Sequence, residues 1–194
     1  MKRPRSIREE MRKNAIQARE RLSAGEVEAF SARIVAHLLH HFPQAPGASI
    51  AFCWPVRNEP DIRAAIHAWR EAGASAALPV VLAPGKPLVF RRWTPQTALL
   101  PDRHGIPCPA DTPEVVPDVL IIPLNAFDAA GYRLGYGGGF FDRTLAVLEP
   151  RPLVIGAGFE LGRVADIHPE AHDQPLDWLF TEKGGSRVGR GLVL

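Results

Sequence analysis

The stretch Pro123-Leu-Asn-Ala-Phe-Asp-Ala-Ala-Gly-Tyr-Arg-Leu-Gly-Tyr-Gly-Gly-Gly-Phe-Phe-Asp-Arg143 lies between a short apolar run, Val119-Leu-Ile-Ile122, and three residues at helical spacing, Phe141, Leu145 and Leu148. The apolar run has the composition of a strand buried on both faces, so the segment reads as strand, loop, helix. Gly131, Gly135, Gly137, Gly138 and Gly139 fall within nine residues. Without Cβ atoms such a loop reaches conformations closed to other residues and can turn several N–H groups toward one anion. A helix opening directly behind it adds the attraction of its own unpaired amides. The residues therefore read as a phosphate cradle, with a flexible turn as the plain alternative. No Gly-Lys-Ser/Thr follows, which excludes a Walker A loop, and Phe140 stands where a dinucleotide fingerprint has its third glycine. Asp128, Arg133 and Asp142 flank the glycines, and a plain turn does not need them.

Outward from this segment, strand and helix patterns alternate. Residues 48–54 read as a strand, followed by the loop Pro55-Val-Arg-Asn-Glu-Pro60 and a helix over 61–72 with Ile62, Ile66 and Trp69 facing inward. Residues 76–82 and 88–93 predict two strands around Pro84-Gly-Lys-Pro87, either a hairpin or consecutive strands of one sheet. Residues 94–116 are proline-rich without periodicity. Residues 153–157 and 176–180 predict two more strands. Together these elements predict an α/β fold, a three-layer α/β/α sandwich with a mostly parallel central sheet and an amino-terminal helix pair, in a single domain over 1–194. In such sheets ligands sit beyond the carboxyl ends of strands, where Trp54 and Glu59 fall. A tryptophan beside a carboxylate can stack a flat heterocycle and accept hydrogen bonds from it, although plain packing serves Trp54 equally well.

The helix pair opens the chain. Residues 6–22 predict a helix with Ile7, Met11, Ala15 and Ala18 on one face. Arg8 and Arg12 lie one turn apart, a pair of like charges that repels unless an anion bridges it; a solvated basic face is the plain reading. Ser23-Ala-Gly-Glu26 is a capping box that starts a second helix, running to about His40, with Val27, Phe30, Ile34, Leu38 and Leu39 as its buried stripe. His37, His40 and His41 have no acidic or thiol partner at metal-ligand spacing. Near the other end, Asp166-Ile-His-Pro-Glu-Ala-His-Asp173 crowds ionisable groups into one loop. His168 and His172 are spaced like zinc ligands on a helix, but Pro169 argues against a helix there, and the carboxylates suit Mg²⁺ better.

The totals exclude several classes. At 194 residues, 46% hydrophobic and 23% charged, the composition is globular. A net charge of +2 gives no global pull toward nucleic acid or membrane. Two cysteines, Cys53 and Cys108, are too few for a disulfide framework or a four-ligand zinc site. Met1-Lys-Arg-Pro-Arg has no apolar run behind it, so a soluble cytoplasmic protein is expected.

The order Phe127-Asp128, Gly131, Arg133-Leu-Gly-Tyr-Gly-Gly-Gly139, Phe141-Asp142-Arg143 closely resembles the signature of the 5-formyltetrahydrofolate cyclo-ligase family, also called methenyltetrahydrofolate synthetases. The resemblance is strong from Leu120 to Arg143 and weaker elsewhere. Gly105-Ile-Pro-Cys-Pro109 is similar to a connection of that family, and Arg8-Glu-Glu-Met-Arg12 resembles its Lys-x-x-Leu-Arg, with arginine replacing lysine. Where the family usually carries tyrosine, this chain has Phe140 and Phe141. The resemblance implies ATP and 5-formyltetrahydrofolate as substrates, Mg²⁺ as cofactor, and a monomer that engages neither nucleic acid nor membrane. It implies that Arg8, Arg12, Arg133, Leu134, Gly135, Tyr136, Gly137, Gly138, Gly139, Phe140 and Phe141 bind ATP. Trp54, Glu59, Tyr136, Gly138 and Phe140 would bind the folate, and Asp142 and Asp173 the metal, with His172 beside them. The implied reaction phosphorylates the formyl oxygen and closes the ring to 5,10-methenyltetrahydrofolate, with no side chain acting as nucleophile or base. Two other readings stand beside it: a relative of the same fold that binds nucleotide or folate without closing the ring, and an RNA-binding protein using the first helix.

Overall fold

The computed structural model describes residues 6–43 and 46–188. Serine side chains start both amino-terminal helices. Ser6 caps α1 (Ile7–Glu20) and Ser23 caps α2 (Ala24–His41), each in a reciprocal box with the glutamate three residues on, Glu9 and Glu26. After them the chain alternates as expected: β1 (Ser49–Ala51), α3 (Arg63–Glu71), β2 (Ser75–Val80) and β3 (Val89–Trp93). The proline-rich stretch yields only three short strands, β4 (Leu99–Pro101), β5 (Pro107–Pro109) and β6 (Glu114–Val115). Then come β7 (Val119–Pro123), a small hairpin of β8 (Ala126–Phe127) and β9 (Arg133–Leu134), α4 (Phe140–Leu145), β10 (Leu153–Ala157), β11 (Trp178–Thr181) and β12 (Gly184–Arg187).

Eight strands form the main sheet in the order β12-β11-β10-β7-β1-β2-β3-β6. The five central strands, β11, β10, β7, β1 and β2, pair in parallel, and the edges are antiparallel. Residues 76–82 and 88–93, read as hairpin or consecutive strands, form the hairpin. β12 was not legible, because Gly184-Gly-Ser-Arg187 has no apolar alternation; it is recruited by pairing with β11.

The central strand β7 shows the period of two directly. Ile121 faces a core with Ile34 and Leu38 of α2 and Ile66 and Trp69 of α3, whereas Leu120 and Ile122 face the opposite cluster with Leu145 and Val154. Both faces are therefore covered, as continuous apolar runs require. No helix among the described residues is long and apolar enough to cross a membrane.

The two amino-terminal helices divide their roles. α2 lies on one sheet face, while α1 crosses the segments that leave the carboxyl ends of β7 and β10. The face expected to be inward on α1 is corrected: Ile7 is 59% exposed, and Ala15, Ile16 and Arg19 are the buried positions. α1 packs on a hairpin and loops rich in backbone carbonyls, so the inward end of its stripe is an arginine.

Candidate active site

The Gly-rich loop follows β9, not β7, because the β8–β9 hairpin intervenes. Asp128 shapes that hairpin: its Oδ1 accepts from the amides of Ala130 and Tyr132, both at 3.0 Å, and its Oδ2 from Ile167 N at 3.2 Å. It is 4% exposed and serves the turn, which corrects the reading that a turn has no need of it. Beyond Leu134, itself buried, residues 135–138 are exposed, with φ +92° at Gly137 and +63° at Gly139. Among the described residues the amides of 135–139 donate to no protein acceptor. Two of the loop's carbonyls are instead pinned from outside: Arg12 Nε donates to Gly135 O at 2.8 Å and Arg143 Nη2 to Gly138 O at 2.6 Å. Gly137 is favoured by its left-handed backbone at φ +92°, and a Cβ there would sit in contact with the Arg12 guanidinium carbon at 3.4 Å.

The helix behind the loop is shorter than expected. α4 ends at Leu145, and the field of six residues is small. Leu148 still joins the apolar cluster below, through one further turn. Phe140 and Phe141 both pack against that same cluster, and Phe140 also lies beneath the Arg143 guanidinium, 5.2 Å from its ring centroid.

At the end of the loop lies a charge cluster. Arg133, 8% exposed, donates from Nη2 to Asp142 Oδ1 at 3.0 Å and from Nη1 to the carbonyl of Gln174. The same Asp142 oxygen accepts from Gln174 N at 3.0 Å, which brings the neighbouring Asp173 alongside. Arg8 holds Asp173 by both oxygens and reaches Glu170 at 3.5 Å. The i, i+4 arginines of α1 therefore diverge: Arg8 goes to Asp173 and Arg12 to the loop, because the two anchors lie at different heights along the helix. Neither is part of a free basic face of the kind an RNA-binding helix requires. Burial pushes the Asp173 carboxyl up, but the Arg8 fork, the Glu170 amide and the charges of Arg8 and His172 outweigh it, and the net shift is downward. His168 and His172 are exposed and lie beside Asp166, Glu170 and Asp173 at 3.4–3.8 Å. Among the described residues no three acidic, histidine or cysteine side chains converge as a complete metal cage.

Glu59 and Tyr136, both assigned to the folate by resemblance, come together across 77 residues, although spacing gives no sign of their direct contact. Glu59 is 3% exposed; its Oε1 accepts from the Tyr136 hydroxyl at 2.8 Å and its Oε2 from Val56 N at 3.1 Å. The loop that delivers it holds two successive left-handed residues, Arg57 at φ +50° and Asn58 at φ +57°. Such strain is maintained by contacts, here from Asn58 Nδ2 to Leu22 O at 3.2 Å. Burial raises the Glu59 carboxyl above its ordinary value, opposed in part by Tyr136, Arg19, the Val56 amide and Arg57. Trp54 is half-buried, with the Arg63 guanidinium 4.7 Å from its ring centroid and Trp93 on its edge. On the outer side of Arg12 and Arg57 an open cleft of about 560 Å³ runs along α1 past Lys13, Gln17 and Glu20.

Sequence reasoning missed Arg19 and Asn125. Arg19 is 2% exposed and donates to Asn125 Oδ1 at 2.7 Å, the Tyr136 hydroxyl at 2.6 Å and the carbonyl of Arg57 at 2.9 Å. The signal was present: Arg19 continues the helical spacing of Ala15 and Ile16, and a charge on a buried stripe is rare without partners.

A mostly parallel α/β sheet with a Gly-rich loop of uncommitted amides, neighbouring carboxylates and a buried glutamate beyond its strand ends has the layout of ligand-binding proteins of the open-sheet class. The chain belongs to the 5-formyltetrahydrofolate cyclo-ligase family, whose profile matches residues 4–182. It is 31% identical over 177 residues to the 5-formyltetrahydrofolate cyclo-ligase of Haemophilus influenzae, covering 88% of this chain and 92% of that one. It is 34% identical over 173 residues to that of Escherichia coli K12, covering 85% and 94%. Among solved structures, Aquifex aeolicus 5,10-methenyltetrahydrofolate synthetase superposes with a TM-score of 0.81 at 27% identity, covering 97% of this chain and 96% of that one. The Mycoplasma pneumoniae 5,10-methenyltetrahydrofolate synthetase, at 22% identity and TM-score 0.76 over 91% and 99% of the two chains, shares the fold.

Proposed function

We propose that the chain converts 5-formyltetrahydrofolate to 5,10-methenyltetrahydrofolate, consuming ATP with Mg²⁺ and releasing ADP and phosphate. The observation that carries this reading is the row of uncommitted amides at 135–139 beside the Arg12 guanidinium. Amides held in place before the ligand arrives stabilise a phosphoryl group in transfer without reorganising, which is the main demand of this chemistry. The γ-phosphoryl group passes to the formyl oxygen, which leaves the formyl carbon electrophilic. The N10 amine of the folate attacks that carbon and gives up its proton to solvent, the bond from carbon to the phosphorylated oxygen breaks, and phosphate departs with that oxygen. Glu59 accepts hydrogen bonds from the pterin ring, and Trp54 offers a face for it. Tyr136, Gly138 and Phe140 lie where the two substrates meet.

The donor set suits Mg²⁺ held mostly by phosphate oxygens, which asks the protein for one or two carboxylates. Among the described residues Asp142 keeps Oδ2 without a protein partner, while both oxygens of Asp173 are engaged by Arg8. Asp142 is thus the readier ligand, and Asp173 joins it when Arg8 turns toward phosphate. Mg²⁺ there would offset charge on the transferring group. The protein is read as a monomer working in the cytoplasm.

The test is direct: purified protein, 5-formyltetrahydrofolate and MgATP should develop the methenyl chromophore, with an omitted-ATP control staying flat. A protein that binds both substrates yet forms no chromophore is a relative that does not close the ring.

A further inference from the structure

The carboxylate assigned to the folate is sealed. Glu59 is 3% exposed, and the space beside it, between Cys53, Pro60, Ile121 and Ala157, is about 10 Å³. That holds no more than a single water. Over the carboxylate stands Tyr136, a residue 44% exposed but with its hydroxyl turned inward onto Glu59 Oε1. A pterin ring cannot share that oxygen with the tyrosine.

Beneath both lies Arg19, buried at 2%, with Nη2 at 2.6 Å from the Tyr136 oxygen and 3.9 Å from Glu59 Oε1. Its other nitrogens are fixed by Asn125 Oδ1 and by the carbonyls of Leu124 and Arg57. A fork held at four acceptors is pre-organised, and lysine cannot reproduce it. The tyrosine hydroxyl accepts from Arg19 and donates to Glu59. It therefore copies what a ring N–H would do for the carboxylate.

We propose that Arg19 is a positioning residue for folate recognition: it orients the Glu59 carboxyl and parks the Tyr136 hydroxyl over it as a stopper that the pterin ring displaces. This rests on Glu59 being the folate contact. The groups facing Glu59 are Arg19 from α1, Tyr136 from the Gly-rich loop, Arg57 and the Val56 amide from its own loop, and the Cys53 thiol from the end of β1. Of the two arginines, Arg19 is the buried one. Removing its charge leaves burial less opposed, so Glu59 takes up a proton at higher pH. Displacing the stopper moves the Gly-rich loop, because Tyr136 is its second residue.

Calorimetric titration of the full chain with 5-formyltetrahydrofolate between pH 5 and 8, and with MgATP at pH 7.5, tests this in Arg19→Met, Arg19→Lys and Tyr136→Phe, with thermal unfolding as the check on folding. Arg19→Met should weaken the folate at least tenfold at pH 7 and move the acid loss of affinity to higher pH. Arg19→Lys should weaken the folate less and leave that onset where the wild type has it. Tyr136→Phe should tighten folate binding severalfold. MgATP affinity should stay within about threefold in the two Arg19 variants. An onset unmoved in Arg19→Met, both ligands weakened alike, or looser folate binding in Tyr136→Phe overturns the proposal while leaving the proposed reaction standing. Wild-type protein that is folded but takes no folate sinks both. Should Arg19→Met not fold, the lysine and phenylalanine variants decide.

Discussion

Arg8 grips Asp173 with both ends of its guanidinium, Nη1 to Oδ2 at 2.6 Å and Nη2 to Oδ1 at 3.1 Å, across 165 residues of sequence. The contact fastens the first helix to the loop ahead of β11, next to Asp142. It also makes one of the two carboxylates assigned to the metal a structural partner as well.

Removing the arginine leaves a carboxylate with 6% side-chain exposure unpaired. Arg8→Ala should therefore lower stability by about 3 kcal/mol, the cost of breaking a largely buried pair. Urea unfolding of the two proteins at pH 7 measures the difference; equal midpoints would show that the pair is replaced by water at no cost.

The same pair predicts a pH dependence. The Asp173 carboxyl is depressed below its ordinary 3.8 in the folded chain. Its contribution is complete above that value and is lost as pH falls through the lower folded value. The stability gap between wild type and Arg8→Ala should close as pH drops below about 4. A gap constant from pH 7 to pH 2 contradicts this assignment.

Asp142→Asn keeps an acceptor for Arg133 and for Gln174 N but removes the charge. Turnover should fall about a hundredfold at saturating substrate, since several kcal/mol of charge stabilisation go with the metal ligand. Rates measured against Mg²⁺ concentration check this, and wild-type rates at every concentration would remove Asp142 from the metal's ligands.

Gly137→Ala puts a Cβ on a backbone at φ +92° and against the Arg12 guanidinium. Strain of about 1–3 kcal/mol should appear as roughly tenfold or greater weakening of MgATP, with little loss of fold because the loop is exposed. Equal KM values for MgATP in variant and wild type would show that the loop's conformation does not matter to the nucleotide.

Leu38→Ala, in the fully buried stripe of α2 against the sheet, serves as the contrast. It should cost about 3 kcal/mol of stability while leaving kcat per folded molecule unchanged.

Much of this fold was legible because buried parallel strands leave continuous apolar runs and serine caps mark helix starts. Val119–Ile122, Ser23 and the Ile62/Ile66/Trp69 stripe each landed where local chemistry put them. The β8–β9 hairpin escaped notice because Asp128 makes it with side-chain oxygens accepting from backbone amides, which reads like loop chemistry until the partners are known. The Gly-rich loop stood out by composition alone. The Glu59–Tyr136–Arg19 triad did not show as a unit, since its members come from three distant segments, although Arg19 continues the buried spacing of Ala15 and Ile16. Asp142 and Asp173 stood out beside the glycines and in an acidic loop, but their pairing on one ion came only through family resemblance. The Arg8–Asp173 pair spans 165 residues, which spacing does not reveal.

The central claim is phosphorylation of the formyl oxygen, and an oxygen label tests it most directly. With ¹⁸O in the formyl group of 5-formyltetrahydrofolate, a single turnover with MgATP should deliver the label into the released inorganic phosphate, read by the isotope shift of its ³¹P resonance. Unlabelled phosphate accompanying full formation of 5,10-methenyltetrahydrofolate would contradict the account, because the formyl oxygen would then have left by another route.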